Sequence, residues 1–400
     1  MRIPLAMNHL SQSDIAEAVE VLNSGNLTMG KKVETFEKNL AEYLQVENFI
    51  MVNSGSSANL LIFEYLLRAS NGKGKLKPGD GVLVPSIAWP TTIWPILQLG
   101  LKPVFVDVDR ETFQIDFKEA ELKLVGSKTP IKAIFPIHPL GIALDPNTLQ
   151  EFSAAHGLVV VSDVCESLGS WSGGMHAGGS SLASSFSFYF SHHITTMEGG
   201  GVATNSLEMA DDLRSMRSHG WSRNRTDSTK WTSGLPNFDS KFRFISTGYN
   251  FRPTEVQAAI GLGQIAKIDA FVERRRSIAM RVNQACSNTP VRLMNSDYLS
   301  NGNERSHSWM LLPLCVDSTI ASKEKIQEYL ENFGVETRPV LTGNFLAQPA
   351  ISRMSGFGNP TDYPNASWVQ SNCFLIGCHQ DYSEEQIEYL TTILRDLNSQ

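Results

Sequence analysis

Two periodicities alternate along the chain. Ser11 to Ser24 and Lys32 to Leu44 repeat apolar residues at helical spacing, the first with an early acidic residue. From Asn48 onward, short apolar runs alternate with helical stretches: NFIMV ahead of SGSSANLLIFEYLL, then GVLVPS, KPVFVDVD, IKAIFPIHPLG, HGLVVVSDV and SSFSFYF. Runs of this kind predict an α/β fold with a mostly parallel sheet covered by helices on both faces. Ligands of such sheets sit beyond the carboxyl ends of the strands, so chemistry is sought in the turn after each run.

GVATN at 201–205 predicts another strand, and Leu207 to about Ser218 a helix. The polar stretch from Ser222 to Lys241 has no period and is long for a connection, which predicts a functional loop near the site. A continuous helix from Thr254 to about Ser287 would then join a large domain with a helical N-terminal segment, residues 1–265, to a smaller α/β domain, residues 266–400. The sequence carries no internal repeat.

Composition narrows the choice of ligand. With 42% hydrophobic and 19% charged residues, the chain can fill a deep core and has no disordered tail. The net charge of -7, without a long basic run, argues against a nucleic-acid partner, so an anionic ligand must be held by local groups. The first residues, MRIPLAMNHLSQSDIAEAVEVL, lack the basic-then-apolar order of a signal peptide, and no apolar run reaches transmembrane length. A cytoplasmic enzyme without a membrane partner is the expectation. Five scattered cysteines with no C-x-x-C pair read as buried small hydrophobes, not as disulfides or a metal site.

Three turns carry candidate chemistry. Ser54 to Asn59 follows a strand and opens a helix, so its small residues could cradle a phosphate on free N–H groups, or could simply cap the helix. Asp163 ends HGLVVVSD, where a carboxylate could pair with a pyridinium nitrogen or cap the next helix. Trp89 could stack on a planar ring or merely pack. The segment SSFSFYFSHHITTMEGGGVATN adds serines, the pair His192 and His193, and a Glu-Gly-Gly turn before a strand.

At this segment the chain resembles the sugar aminotransferase and dehydratase family of fold-type I pyridoxal phosphate (PLP) enzymes, whose pattern reads roughly S-F-x-x-x-K-x-[IL]-x-x-x-E-G-G. His192 takes the lysine position, and no lysine occurs from Ala133 to Thr229, so a slipped register cannot supply one. The resemblance covers nearly the whole chain: Thr28-Met29-Gly30, SGSSAN, VPSIAWPTT, VDVDRETFQID, SDVCES, GYNFRP and TRPVLTGNFL follow in the family's order. Ser-His-His with Met-Glu-Gly-Gly, HGWSRN at 219–224 and TGNFL at 342–346 are most similar to the members that remove the C3 hydroxyl of GDP-4-keto-6-deoxymannose on the way to colitose, a sugar of lipopolysaccharide O-antigens. The segment HPLGIALD at 138–145 departs from their pattern, in which an Asn follows the Gly.

The resemblance implies an aspartate aminotransferase-like fold in which Gly55, Ser56 and Ser187 hold the cofactor phosphate. Trp89 would stack on the ring, Asp163 face its nitrogen, and Glu166 lie beside ring or substrate. Asn250 would reach the phosphate of a neighbouring subunit, making a homodimer with a shared site. Met29, His219, Arg223, Arg225 and Arg338 are candidates for the nucleotide sugar, the arginines because guanidinium matches a diphosphate.

Histidine in place of lysine changes the chemistry. Imidazole cannot link covalently to PLP but can act as a general base, with an unperturbed pKa of about 6.5. PLP would stay noncovalently bound, and glutamate would load it as pyridoxamine phosphate (PMP). His192 would take a proton from the C4′ carbon while the C3 hydroxyl leaves, giving a 3-deoxy ketosugar and ammonia. His193 would pack rather than react. The alternatives are a noncatalytic cofactor or sugar sensor, an ordinary aminotransferase using Lys230 or Lys241, and an iron-sulfur-dependent 3-dehydratase. The last needs several thiolates, and only Cys165 precedes residue 286.

Overall fold

The computed structural model describes residues 1–8, 10–69, 75–300 and 306–399. The apolar runs form a seven-stranded sheet of β1 (Asn48–Val52), β2 (Gly81–Pro85), β3 (Lys102–Val106), β4 (Ile131–Ile134), β5 (Val159–Asp163), β6 (Ala183–Ser187) and β7 (Gly200–Thr204). The spatial order is β1-β7-β6-β5-β4-β2-β3. Pairing is parallel from β6 across to β3, whereas β7 runs antiparallel to both of its neighbours. Every residue of β2 and β7 is buried, as strands covered on both faces must be.

Helix α1 (Gln12–Ser24) is capped by Ser11, and α2 (Lys31–Leu44) turns its apolar stripe inward. Helix α3 (Gly55–Arg68) starts directly after β1, and α4 (Pro90–Gln98) starts after β2 with proline at its first position, where the missing N–H costs nothing. After β7, α5 (Leu207–Met216) ends two residues before the expected Ser218. The stretch from Ser222 to Lys241 is not a bare loop, because it forms short helical turns at Ser222–Asn224, Ser228–Thr232 and Asn237–Ser240.

The single helix expected from Thr254 to Ser287 is instead two, α6 (Glu255–Ile265) and α7 (Ile268–Ala285). Packing dictates the break. Gly261 and Gly263 let α6 press against α2 and α1, since a Cβ on the first would enter the Phe36 ring and on the second would strike the Asp14 carboxylate. Past Ala266 and Lys267, α7 heads for a second sheet, where the buried Arg275 donates to the carbonyls of Met310 (2.8 Å), Trp309 (3.3 Å) and Cys378.

That sheet is antiparallel, ordered β8-β9-β11-β10, with β8 (Val291–Leu293), β9 (Leu311–Val316), β10 (Thr337–Arg338) and β11 (Cys373–Gly377). The chain's first residues lie at its edge. The Ile3 N–H donates to Gly334 O (2.8 Å), the Glu336 N–H to Ile3 O (3.0 Å), and the Leu5 N–H to the Glu336 carboxylate (2.9 Å). Ile3 is fully buried there, so the start of the chain lies with the smaller sheet. No helix among the described residues is long and apolar enough to cross a membrane.

Candidate active site

A cavity of about 460 Å³ opens at the carboxyl ends of β5 and β6, between the large sheet and the smaller lobe. Its wall contains Gly55, Ser56, Trp89, Asp163, Glu166, Ser187, His192 and Arg338, eight of the thirteen site residues named from the sequence. The segments that supply them are separated by long stretches of sequence and meet because each follows a strand of the same sheet, or, for Arg338, belongs to β10.

The phosphate end is built from the start of α3. The Ser54 hydroxyl accepts the Ser57 N–H (3.1 Å) and Ser54 O accepts the Ala58 N–H (3.1 Å), which leaves the N–H groups of Gly55 and Ser56 for an anion. Only glycine fits at 55, because a Cβ would lie 2.8 Å from Ser187 Cβ and 2.9 Å from Cys165 Sγ. The Glu-Gly-Gly turn backs this cradle. A Cβ on Gly200 would drive into the backbone of Ser54 and Gly55, and one on Gly201 into the Phe49 ring.

At the other end Asp163 is buried, and its Oδ2 accepts from Asn59 Nδ2 (3.0 Å) and Thr92 Oγ1 (2.9 Å). Its Oδ1 takes the Cys165 N–H at 3.1 Å. Trp89, 47% exposed, offers a ring with the Arg338 guanidinium 5.6 Å from its centroid. Glu166 receives the Leu140 N–H on Oε2 (3.0 Å), and burial pushes its carboxyl above the usual range against the pull of that N–H and of Arg338. An anion cradle, a flat aromatic wall and a carboxylate opposite the cradle suit a phosphorylated pyridine ring, and no lysine among the described residues lines the cavity.

His192 lies on the cavity wall with its Nδ1 free of any hydrogen-bond partner. Burial pushes its pKa down to about 4; interaction with the Cys165 backbone opposes this, and the nearby cations Arg338 and Arg275 add to it. The imidazole is therefore neutral at ordinary pH and ready to accept a proton. His193 faces away from the cavity, buried, with its Nε2 3.1 Å from Ser308 O.

The remaining candidates lie elsewhere in the subunit. Met29 and Arg223 line a separate open cleft of about 700 Å³, bordered by α2 and the segment after α5. His219 is exposed at a left-handed φ of 63°, beside Asn250, which pairs with Ser218 and accepts from Arg252 Nε (3.0 Å). Arg225 is not free for a diphosphate: it is buried and forms ion pairs with Asp212 and Asp227. Nor does the 222–241 stretch line the cavity. Cys165 departs from the expectation for the cysteines, since it is only half-buried and borders the cavity, whereas the other four are buried. The sequence alone assigned Asn59 and Thr92 no role of their own; the available signal was an Asn directly ahead of the apolar run Leu60 to Phe63 of α3.

Known proteins match the chain over its length. A GDP-4-keto-6-deoxy-D-mannose 3-dehydratase of Yersinia pseudotuberculosis is 34% identical over 397 residues, covering 99% of this chain and 98% of that protein. The lipopolysaccharide biosynthesis protein RfbH of Salmonella typhimurium is 30% identical, covering 98% and 90%. Two solved structures of GDP-4-keto-6-deoxymannose-3-dehydratase superpose with a TM-score of 0.88, each covering 98% of this chain and 100% of that one. A variant with bound GDP-perosamine is 30% identical, and a form with a trapped PLP-glutamate geminal diamine is 31% identical. Residues 8–395, nearly the entire chain, match the DegT/DnrJ/EryC1/StrS aminotransferase family, and the protein belongs to that family.

Proposed function

We propose that the protein is a lyase, a 3-dehydratase of a nucleotide-linked 4-keto-6-deoxysugar, with GDP-4-keto-6-deoxymannose as substrate, PLP and PMP as noncovalent cofactor forms, and glutamate as amine donor. The observation that carries this reading is the neutral His192 on the wall of a cavity that no lysine among the described residues lines. Bound there, the cofactor supplies an amine that joins the sugar ketone and a ring that accepts electrons as the C3–O bond breaks.

The chain's residues divide the remaining work. Gly55 and Ser56 N–H groups and the Ser187 hydroxyl hold the phosphate, Trp89 covers the ring, and Asp163 Oδ1 meets the ring nitrogen. His192 takes the proton from the C4′ carbon. Arg338, within the cavity and over Trp89, holds an anionic group of donor or sugar close to the ring. Lys230 and Lys241, which an ordinary aminotransferase would need, are exposed and outside the cavity wall. An iron-sulfur cluster would need converging thiolates, and no three His, Cys, Asp or Glu side chains gather among the described residues.

The activity is tested by incubating the protein with PLP, glutamate and GDP-, CDP-, UDP- or dTDP-linked 4-ketosugars. Ammonia and a 3-deoxy product are expected with the GDP-linked sugar. Borohydride treatment of the PLP-loaded protein should leave the polypeptide mass unchanged. A stable aminated sugar as the main product, or a phosphopyridoxyl group on any lysine, contradicts the reading.

The exposed Asn250 and His219, with the half-buried Arg252 beside them, support a second subunit whose phosphate site they complete. Asn250→Ala is expected to weaken PLP binding while leaving the thermal transition in place. Mixed dimers of Asn250→Ala with a His192→Asn subunit should regain activity in one of their two sites. Failure to complement removes the shared-site assignment.

A further inference from the structure

The two oxygens of Asp163 have different surroundings. Oδ2 accepts two side-chain donors, Asn59 Nδ2 and Thr92 Oγ1, which uses its lone pairs, whereas Oδ1 accepts the Cys165 N–H and receives neither of those donors, with the Cys165 thiol also interacting with the carboxylate. Asn59 is fully buried, and its Nδ2 also donates to Thr91 O at 3.1 Å. Both neighbours of that nitrogen are pure acceptors, so the amide cannot be flipped without setting oxygen against oxygen. Thr92, also fully buried, can only donate to the carboxylate.

The two donors come from the helices that shape the rest of the cavity. Asn59 is one turn inside α3, whose first residues form the anion cradle, and Thr92 is three residues beyond Trp89 at the start of α4. A rigid hydrogen-bonded unit therefore links cradle, carboxylate and aromatic wall. We propose that Asn59 and Thr92 are positioning residues that lock Asp163 with Oδ1 aimed at the cofactor's ring nitrogen, at a fixed distance from the phosphate cradle. This rests on the reading of Asp163 as the partner of that nitrogen.

The test compares Thr92→Val, Thr92→Ser and Asn59→Leu with the unaltered protein, using two probes: PLP and its deaza analogue, in which CH replaces the ring nitrogen. Around metal sites, loss of a group that orients a direct ligand typically weakens binding about 10- to 100-fold, and the same scale is expected for a group that orients Asp163. Thr92→Val and Asn59→Leu should lose PLP affinity on that scale, keep their affinity for the deaza analogue, and shift the pH at which the absorption of bound PLP titrates. Thr92→Ser retains the hydroxyl and should bind PLP as before. Equal losses for both probes mean a merely structural role and overturn the proposal, as does unchanged PLP binding by Thr92→Val. Should Asn59→Leu fail to fold, the Thr92 pair decides alone. Asp163→Asn separates the underlying reading: if it still prefers PLP to the deaza analogue, Asp163 is not the nitrogen's partner, and the proposal falls with it.

Discussion

Replacing His192 with asparagine should lower 3-deoxy product formation about a hundredfold to ten-thousandfold, the usual range for a lost, positioned general base. Asparagine fills similar space and can neither accept the proton nor link to PLP, so cofactor binding should persist while turnover falls. His192→Lys separates the two roles. An amine at this position should make a link to PLP that borohydride renders permanent, adding a phosphopyridoxyl mass that the unaltered protein does not gain, while dehydration falls. Full transamination does not follow, because the amine must also reach the sugar carbon at the correct angle. Substantial dehydration by both variants would remove His192 as the base and transfer the role to Glu166 or His219.

The same residue fixes a pH dependence. A base works only when deprotonated, and burial lowers the His192 pKa to about 4, so the acid side of the kcat/KM profile should fall near pH 4 rather than near 6.5. An acid limb at 6.5 in the unaltered protein would assign the titration to a solvated group.

The second large effect is expected at Gly200, which touches no ligand. A Cβ there would lie 2.6 Å from Ser54 O and closer still to Gly55 N and Ser54 C, all backbone atoms that cannot rotate away. Either β7 or the start of α3 must move. Overpacking of this kind typically costs about 1–3 kcal/mol, visible as a fall of several degrees in Tm. The displaced N–H groups are those assigned to the phosphate, so PLP affinity should fall with stability. Gly126→Ala is the control: its Cβ would meet nothing within 4 Å, and its backbone has no left-handed φ. Similar PLP binding by Gly200→Ala and Gly126→Ala would show that the cradle lies elsewhere.

The sequence and the structure agree most where one residue's surroundings determine its type. Strand segments buried on both faces are apolar, so β2 is visible as GVLVP and β5 as the run LVVV that leads to Ser162 and Asp163. His192 was visible because motif spacing places it. Pairings remote in sequence were not: Asp163 meets Asn59 and Thr92 across 104 and 71 residues, and nothing local marks them as its donors. Arg225 misled for a related reason, since a sequence shows a guanidinium but not that two carboxylates already hold it. The break at Ala266 and Lys267 has no glycine or proline to announce it; packing of α6 on α1 and α2 causes it. Motif order also cannot tell which cavity a residue lines, and Met29, Arg223 and Asn250 lie outside the one that contains His192.

The edge strand formed by the first residues has a consequence for synthesis. During synthesis, the hydrogen-bonding partners of Ile3 at 334 and 336 follow it by more than 300 residues. At bacterial or eukaryotic elongation rates of about 5–20 residues per second, that gap lasts on the order of tens of seconds. Throughout it the apolar Ile3 and Leu5 have no sheet to join, and the small lobe cannot close. Closure of the smaller lobe thus waits for residues 334 to 336, and a substitution at Ile3 would act on that step before any other.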